Sequence, residues 1–233
     1  TQLNNPNAYL ASVYWFLHFQ YNGWFFFACM ALWYLGHPPA ENTYSANRRV
    51  FWLFAICCVP AYLLSVLWAS LPVAVYLLVV LAAIAQVVSW VLFLQQQRIN
   101  GWHVSGFLWL PVSACSIKWL LQLGSVVPSL STLAFGFRSI VIGYLHLVLL
   151  GVITLFLLWE AMHSFVVPAN KSFVKGRLVL ASGIILNELL LMIQGGMAMG
   201  YMMLPLVQEW LLSAALLMFT GIAWMCWSVR KSN

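Results

Sequence analysis

Apolar runs broken by proline, glycine or charge divide the chain into seven stretches. They extend from about Tyr9 to Leu35, Val50 to Trp68, Val73 to Leu94, Val104 to Leu123, Ile140 to Met162, Leu178 to Ile193 and Trp210 to Trp227. Each approaches the roughly 20 residues that cross about 30 Å of hydrocarbon as a helix. The pattern therefore predicts an all-α, polytopic membrane helix bundle of about seven transmembrane helices, forming one domain over residues 1–233. The connections fit this division. "GHPPAENTYSANRR" is polar and helix-breaking, "SLP" and "MLP" set a proline at a tight turn, and "VVPANKSFVKGR" joins proline to three cations.

Composition decides the solvent. Hydrophobic residues make up 64% of the chain and charged residues 6%, with a mean hydropathy of +0.93. Such a chain cannot present a charged surface to water around its whole circumference, so the lipid bilayer is its surroundings. The net charge of +6 comes from cations scattered over the loops with no basic cluster, which excludes a nucleic-acid surface. The five cysteines lie inside apolar runs with no CxxC pair and read as small core residues. No cleavable signal peptide is visible, and a start at Thr1 without methionine predicts a processed form or one part of a longer polypeptide.

Charge also orients the bundle, because cytoplasmic loops retain Lys and Arg. Arg48, Arg49, Arg98, Lys171, Lys175, Arg177, Arg230 and Lys231 fall on alternate connections, and Arg138 falls on the opposite side. The first residue is then expected outside and Asn233 in the cytoplasm, in a bacterial inner membrane.

Polar groups inside a span need a partner or a purpose. His18 and Asn22 are four apart on one face, roughly 15 Å from the outer helix end. His146 lies a similar way into the fifth span from the same side. Each fits an interhelical hydrogen bond, and an imidazole is also the commonest metal or haem ligand among side chains. Glu160 and His163 read as a solvated pair near a helix end, and His37 and His103 as wet span termini. Glu188, beside Asn187, is the deepest carboxylate; Lys118 is either its partner or a snorkelling side chain. "GGMAMGYMM" reads as a small-residue packing face. With no Asp in the chain and no Ser-His-Asp, phosphate-loop or HExxH pattern, the residue set suits a hydrolase poorly.

"FLHFQYNGWFFF" resembles the sixth helix of haem-copper oxidases and nitric oxide reductases, in which a His ligates the non-haem metal; the matching positions are His18 and Asn22. "GYLHLVLLG" resembles their tenth helix, with Tyr144, His146 and Gly151 at the haem-binding positions. The resemblance covers the whole chain as the last seven helices of a twelve-helix subunit I fold. It implies that His146 is the axial ligand of a low-spin haem whose trans ligand comes from further helices or another membrane subunit. The second span, "RRVFWLFAICCVPAYLL", has no counterpart of the family's copper-binding His pair, and Tyr144 stands where the active-haem ligand would be. Copper is therefore not expected, and His18 is a remnant ligand held in a network with Asn22.

The leading reading is a degenerate respiratory-type oxidoreductase subunit that binds haem and acts in electron transfer or small-gas chemistry with an electron-donor protein. Two other readings use the same residues. One is a non-catalytic membrane subunit or scaffold with a decayed metal site, and the other is a proton- or ion-coupled transporter built on Glu188 and Lys118.

Overall fold

The computed structural model describes residues 6–69, 71–102, 104, 106–130, 137–164 and 170–231, and all regular structure among them is helical. A first rod runs through α1 (Pro6–His18), a π-helical stretch (Phe19–Phe25) and α2 (Phe26–Gly36). Helix α3 (Glu41–Ala61) tightens into 3-10 turns (Tyr62–Val66) and is followed by α4 (Val73–Ile99). A short 3-10 turn (Gly106–Leu108) leads into α5 (Trp109–Gly124). Helix α6 (Arg138–His146), a second π-helical stretch (Leu147–Thr154) and α7 (Leu155–Ser164) form one rod, before α8 (Lys171–Met199) and α9 (Val207–Arg230).

Six helical paths among the described residues are long and apolar enough to cross a membrane: Glu41–Val66, Val73–Ile99, Gly106–Gly124, Arg138–His163, Lys171–Met199 and Val207–Arg230. The protein is an all-α membrane helix bundle. The rod Pro6–Gly36, which contains the remaining expected span from about Tyr9 to Leu35, is roughly 45 Å long as a helix. Its centre carries His18, Gln20, Tyr21 and Asn22, which dilute its apolar character, and it is not one of the six. His103, Thr1 and Asn233 lie outside the described residues.

The chain forms two compact units: residues 1–109 with 115–134, and residues 110–114 with 135–233. In the first, α3 packs on α4, and Ala61, Leu64, Val79, Ala83 and Val126 form one buried cluster. The polar stretch after Pro38 and Pro39, read as loop from the sequence, is instead the first turns of α3. Thr43 and Asn47, four apart on one helix face, explain why it is ordered. Thr43 Oγ1 donates to Asn100 Oδ1 at 2.8 Å, while Asn47 Oδ1 accepts from Tyr34 at 2.9 Å and from Gln97 Nε2 at 3.2 Å. The Gln97 amide oxygen in turn accepts from Trp33 Nε1 at 3.0 Å. At its other end α3 carries Pro60, which lacks an N–H and crowds the preceding turn, and 3-10 geometry begins two residues later.

In the second unit α8 and α9 meet through bare glycines. A Cβ on Gly183 would lie 2.7 Å from Met218 Cγ, one on Gly176 2.9 Å from Met225 Cγ, and one on Gly221 2.5 Å from the Leu180 amide nitrogen. Close backbone approach of this kind is how helices gain contact where lipid gives no hydrophobic drive between them. Of the two adjacent glycines in "GGMAMGYMM", Gly195 packs on Ile140 of α6, whereas a Cβ on Gly196 would meet nothing within 4 Å. Helix α8 is capped by Asn170, whose Oδ1 accepts from Phe173 N at 2.7 Å.

The loop cations other than Arg138 gather at one end of each unit. Thr43–Asn100 joins the start of α3 to the end of α4, so Arg48, Arg49 and Arg98 share an end. Asn170–Ser228 and Ser172–Trp224 join the start of α8 to the end of α9, gathering Lys171, Lys175, Arg177, Arg230 and Lys231. Arg138 begins α6 beside the far end of α8, where Ile140 meets Gly195.

Candidate functional site

Both histidines of the two motifs occupy the same kind of position. His18 is the last α-helical residue before the π-helical stretch Phe19–Phe25, and His146 is the last before Leu147–Thr154. A π-helical turn closes i→i+5 rather than i→i+4, is rare, and is found frequently at functional sites. Thr154 Oγ1 follows that spacing and donates to Leu149 O, five residues back, at 2.8 Å. Hydrophobic periodicity carries no sign of these turns, so a reading of residue types alone passes over them.

His18 is 6% exposed. Its Nε2–H donates to the Cys58 carbonyl of α3 at 2.9 Å, and its Nδ1 lies 3.3 Å from Asn22 Nδ2, which donates to it. The Cys58 thiol completes a ring of contacts by donating to Asn22 O at 3.7 Å. Phe19 and Tyr62 present their rings at steep angles to the imidazole, at 5.2 and 6.1 Å. The expected contact with Asn22 is there, and the Cys58 carbonyl is a second partner that residue types could not reveal, because it is a backbone atom. With both nitrogens bonded, His18 offers no lone pair to a metal as it stands. Among the described residues no three His, Cys, Asp or Glu side chains come together.

His146 is arranged differently. Its Nδ1–H donates to the Ile142 carbonyl one turn back at 2.8 Å, which assigns the proton to Nδ1 and leaves the Nε2 lone pair pointing away from its own helix. Among the described residues Nε2 makes no hydrogen bond, and the side chain is half-buried. An imidazole whose distal N–H is tied to a backbone carbonyl has the fixed tautomer and ring orientation typical of a metal-binding histidine. Tyr144, two residues earlier, lies about 200° around the helix from His146 and so faces elsewhere. Gly151 is buried; a Cβ there would lie 3.2 Å from Ala114 Cβ, so its visible role is to let the π-helical stretch approach the first turns of α5.

Lys118 does not snorkel. It is 3% exposed, and among the described residues its Nζ has no hydrogen-bond partner and lies 3.0 Å over the Trp119 ring. Glu188 is half-buried on α8; its Oε1 accepts from Asn187 Nδ2 at 3.3 Å, and its Oε2 is without a hydrogen bond among the described residues. Glu160, expected to be solvated, is instead buried at 4% exposure, while His163 is exposed and stacks on Trp159. They are three apart in sequence, but only His163 reaches the surface of the helix rod. His37, expected to be wet, is half-buried and stacked on Trp33 at 4.2 Å. The five cysteines are free thiols. No protein-family model, curated protein or solved structure matches this chain.

Proposed function

We propose that this membrane protein binds a low-spin haem through His146 Nε2 and acts in electron transfer, as the resemblance to haem-copper oxidase and nitric oxide reductase catalytic subunits implies. The observation that carries the reading is the state of His146. Its Nδ1–H is committed to Ile142 O, its Nε2 is uncommitted, and the next residue begins a π-helical stretch. One imidazole in this state fits one axial position of a haem iron. A bound haem would supply a one-electron iron couple. This chain would hold and orient it through His146, with Gly151 keeping the helix behind the ligand close to α5. A haem held this way would need a second ligand from further helices or another membrane subunit, and a donor protein to supply electrons.

His18 favours a second reading. Its two satisfied nitrogens are those of a packing residue, and they suit a non-catalytic subunit whose metal site has decayed. Reduced-minus-oxidised absorption spectra of the purified protein separate the two. For the haem reading a Soret band and a sharp α-band are expected in wild type and in His18→Ala, and loss or severe reduction of both in His146→Ala. A wild-type protein without these bands, or His146→Ala with an unchanged spectrum, defeats the ligand assignment.

A further inference from the structure

Residues 1–134 contain one carboxylate, Glu41, exposed in the first turn of α3. The same part of the chain buries Lys118 near the middle of α5, 3% exposed, with no hydrogen-bond partner on its Nζ among the described residues. A bare ammonium in a low-dielectric interior is costly unless an opposite charge compensates it. The rings beneath it, Trp119 at 3.0 Å and Phe26 at 5.9 Å, spread that charge but do not neutralise it. His18 cannot serve as an acceptor, since both of its nitrogens are engaged.

Three further buried atoms of this unit are also without partners among the described residues: Trp119 Nε1, on the residue next to Lys118, and two amide oxygens. Gln122 lies four residues on, on the same face of α5; its amide nitrogen donates to Gln86 Oε1, and its own Oε1 accepts nothing. Asn22 lies one turn before Phe26, whose ring is 5.5 Å from that of Trp119; its Oδ1 likewise accepts nothing. Two donors, the Lys118 ammonium and the Trp119 Nε1–H, and two neutral acceptors thus remain unsatisfied among the described residues around one aromatic cluster. A water alone could satisfy the hydrogen bonds but would leave the charge. A hydrated small anion answers both needs, because it accepts from the ammonium while a water in its shell donates one hydrogen to the anion and the other to an amide oxygen.

We propose that Lys118 is the binding residue for a small monovalent anion of halide size, held on the side of the ammonium away from the Trp119 and Phe26 rings, with Asn22 and Gln122 receiving its hydration water. The site is independent of the haem reading, which uses His146. It is tested on the whole purified chain by exchanging gluconate, too bulky to enter, for bromide at constant ionic strength. The expected result is a saturable rise of the thermal-unfolding midpoint with bromide in wild type, kept in Lys118→Arg and lost in Lys118→Met. Equilibrium dialysis with radioactive chloride should give one anion per chain for wild type, and this decides the matter even if Lys118→Met fails to fold. A midpoint indifferent to bromide, a Lys118→Met response equal to wild type, or no bound chloride overturns the proposal in favour of a neutral amine bridged by water.

Discussion

An imidazole with both nitrogens bonded and one with a nitrogen to spare respond differently to removal. His18→Ala deletes the donor to Cys58 O and the acceptor for Asn22 Nδ2, leaving buried polar groups unpaired at a cost of about 1 to 3 kcal/mol. Chemical denaturation should show that loss, with the denaturant slope unchanged. Cys58→Ala should cost less, because the bond that holds the imidazole runs to the backbone carbonyl and survives the change. A Cys58→Ala loss as large as that of His18→Ala would mean that the thiol, not the carbonyl, anchors the site. At this scale the sequence marks candidate residues but not their states. Polar types within apolar runs pointed to His18, Asn22, Lys118, His146 and Glu188. What distinguishes them is backbone partners and hydrogen-bond direction, which residue type does not encode. Glu160 makes the same point, since a carboxylate near a helix end is solvated or buried according to which way its face turns.

For whole elements, glycines separate packing from filler. Gly221→Ala places a methyl 2.5 Å from Leu180 N, an atom of a helix backbone that cannot rotate aside. Helices α8 and α9 must move apart, and overpacking of this kind costs about 1 to 3 kcal/mol. Gly196→Ala meets nothing within 4 Å and removes a flexible residue from a helix interior, so it should be neutral or stabilising by up to about 1 kcal/mol. Thermal unfolding of the two variants in the same detergent checks the contrast. Equal effects would show that the α8–α9 contact is looser than these distances require. The helices themselves were largely legible, because 18 or more apolar residues in succession have few alternatives. Their ends were not. Helix α3 begins nine residues before its apolar run, since Thr43 and Asn47 bond to neighbouring elements and hold a polar segment in helical form. The π-helical stretches were equally hidden, because neither the mixed FQYNGWF nor the apolar LVLLGVIT carries a residue type that marks a wider turn.

For the molecule as a whole, the sorting of charge sets the direction of the chain in the membrane. Loop cations are retained on the cytoplasmic side, and the helix pairings within each unit make the sorting geometric. Thr43–Asn100 gathers Arg48, Arg49 and Arg98 at one end of the first unit, and Asn170–Ser228 gathers Lys171, Lys175, Arg177, Arg230 and Lys231 at one end of the second. Arg138 stands at the opposite end of the second unit, beside the end of α8 that packs on Ile140. The cation-rich ends are accordingly expected in the cytoplasm and Arg138 outside. Single cysteines placed at Lys231 and at Arg138, in a background lacking the five native thiols, report this directly. In intact cells a membrane-impermeant maleimide should label Arg138→Cys and spare Lys231→Cys until the membrane is opened. Labelling of Lys231→Cys in intact cells would reverse the orientation. It would also move His146, which lies two turns from Arg138 along α6, from the outer half of the bilayer to the inner half. An electron donor would then have to approach from the cytoplasm, so the same labelling decides from which side of the membrane the proposed haem is reached.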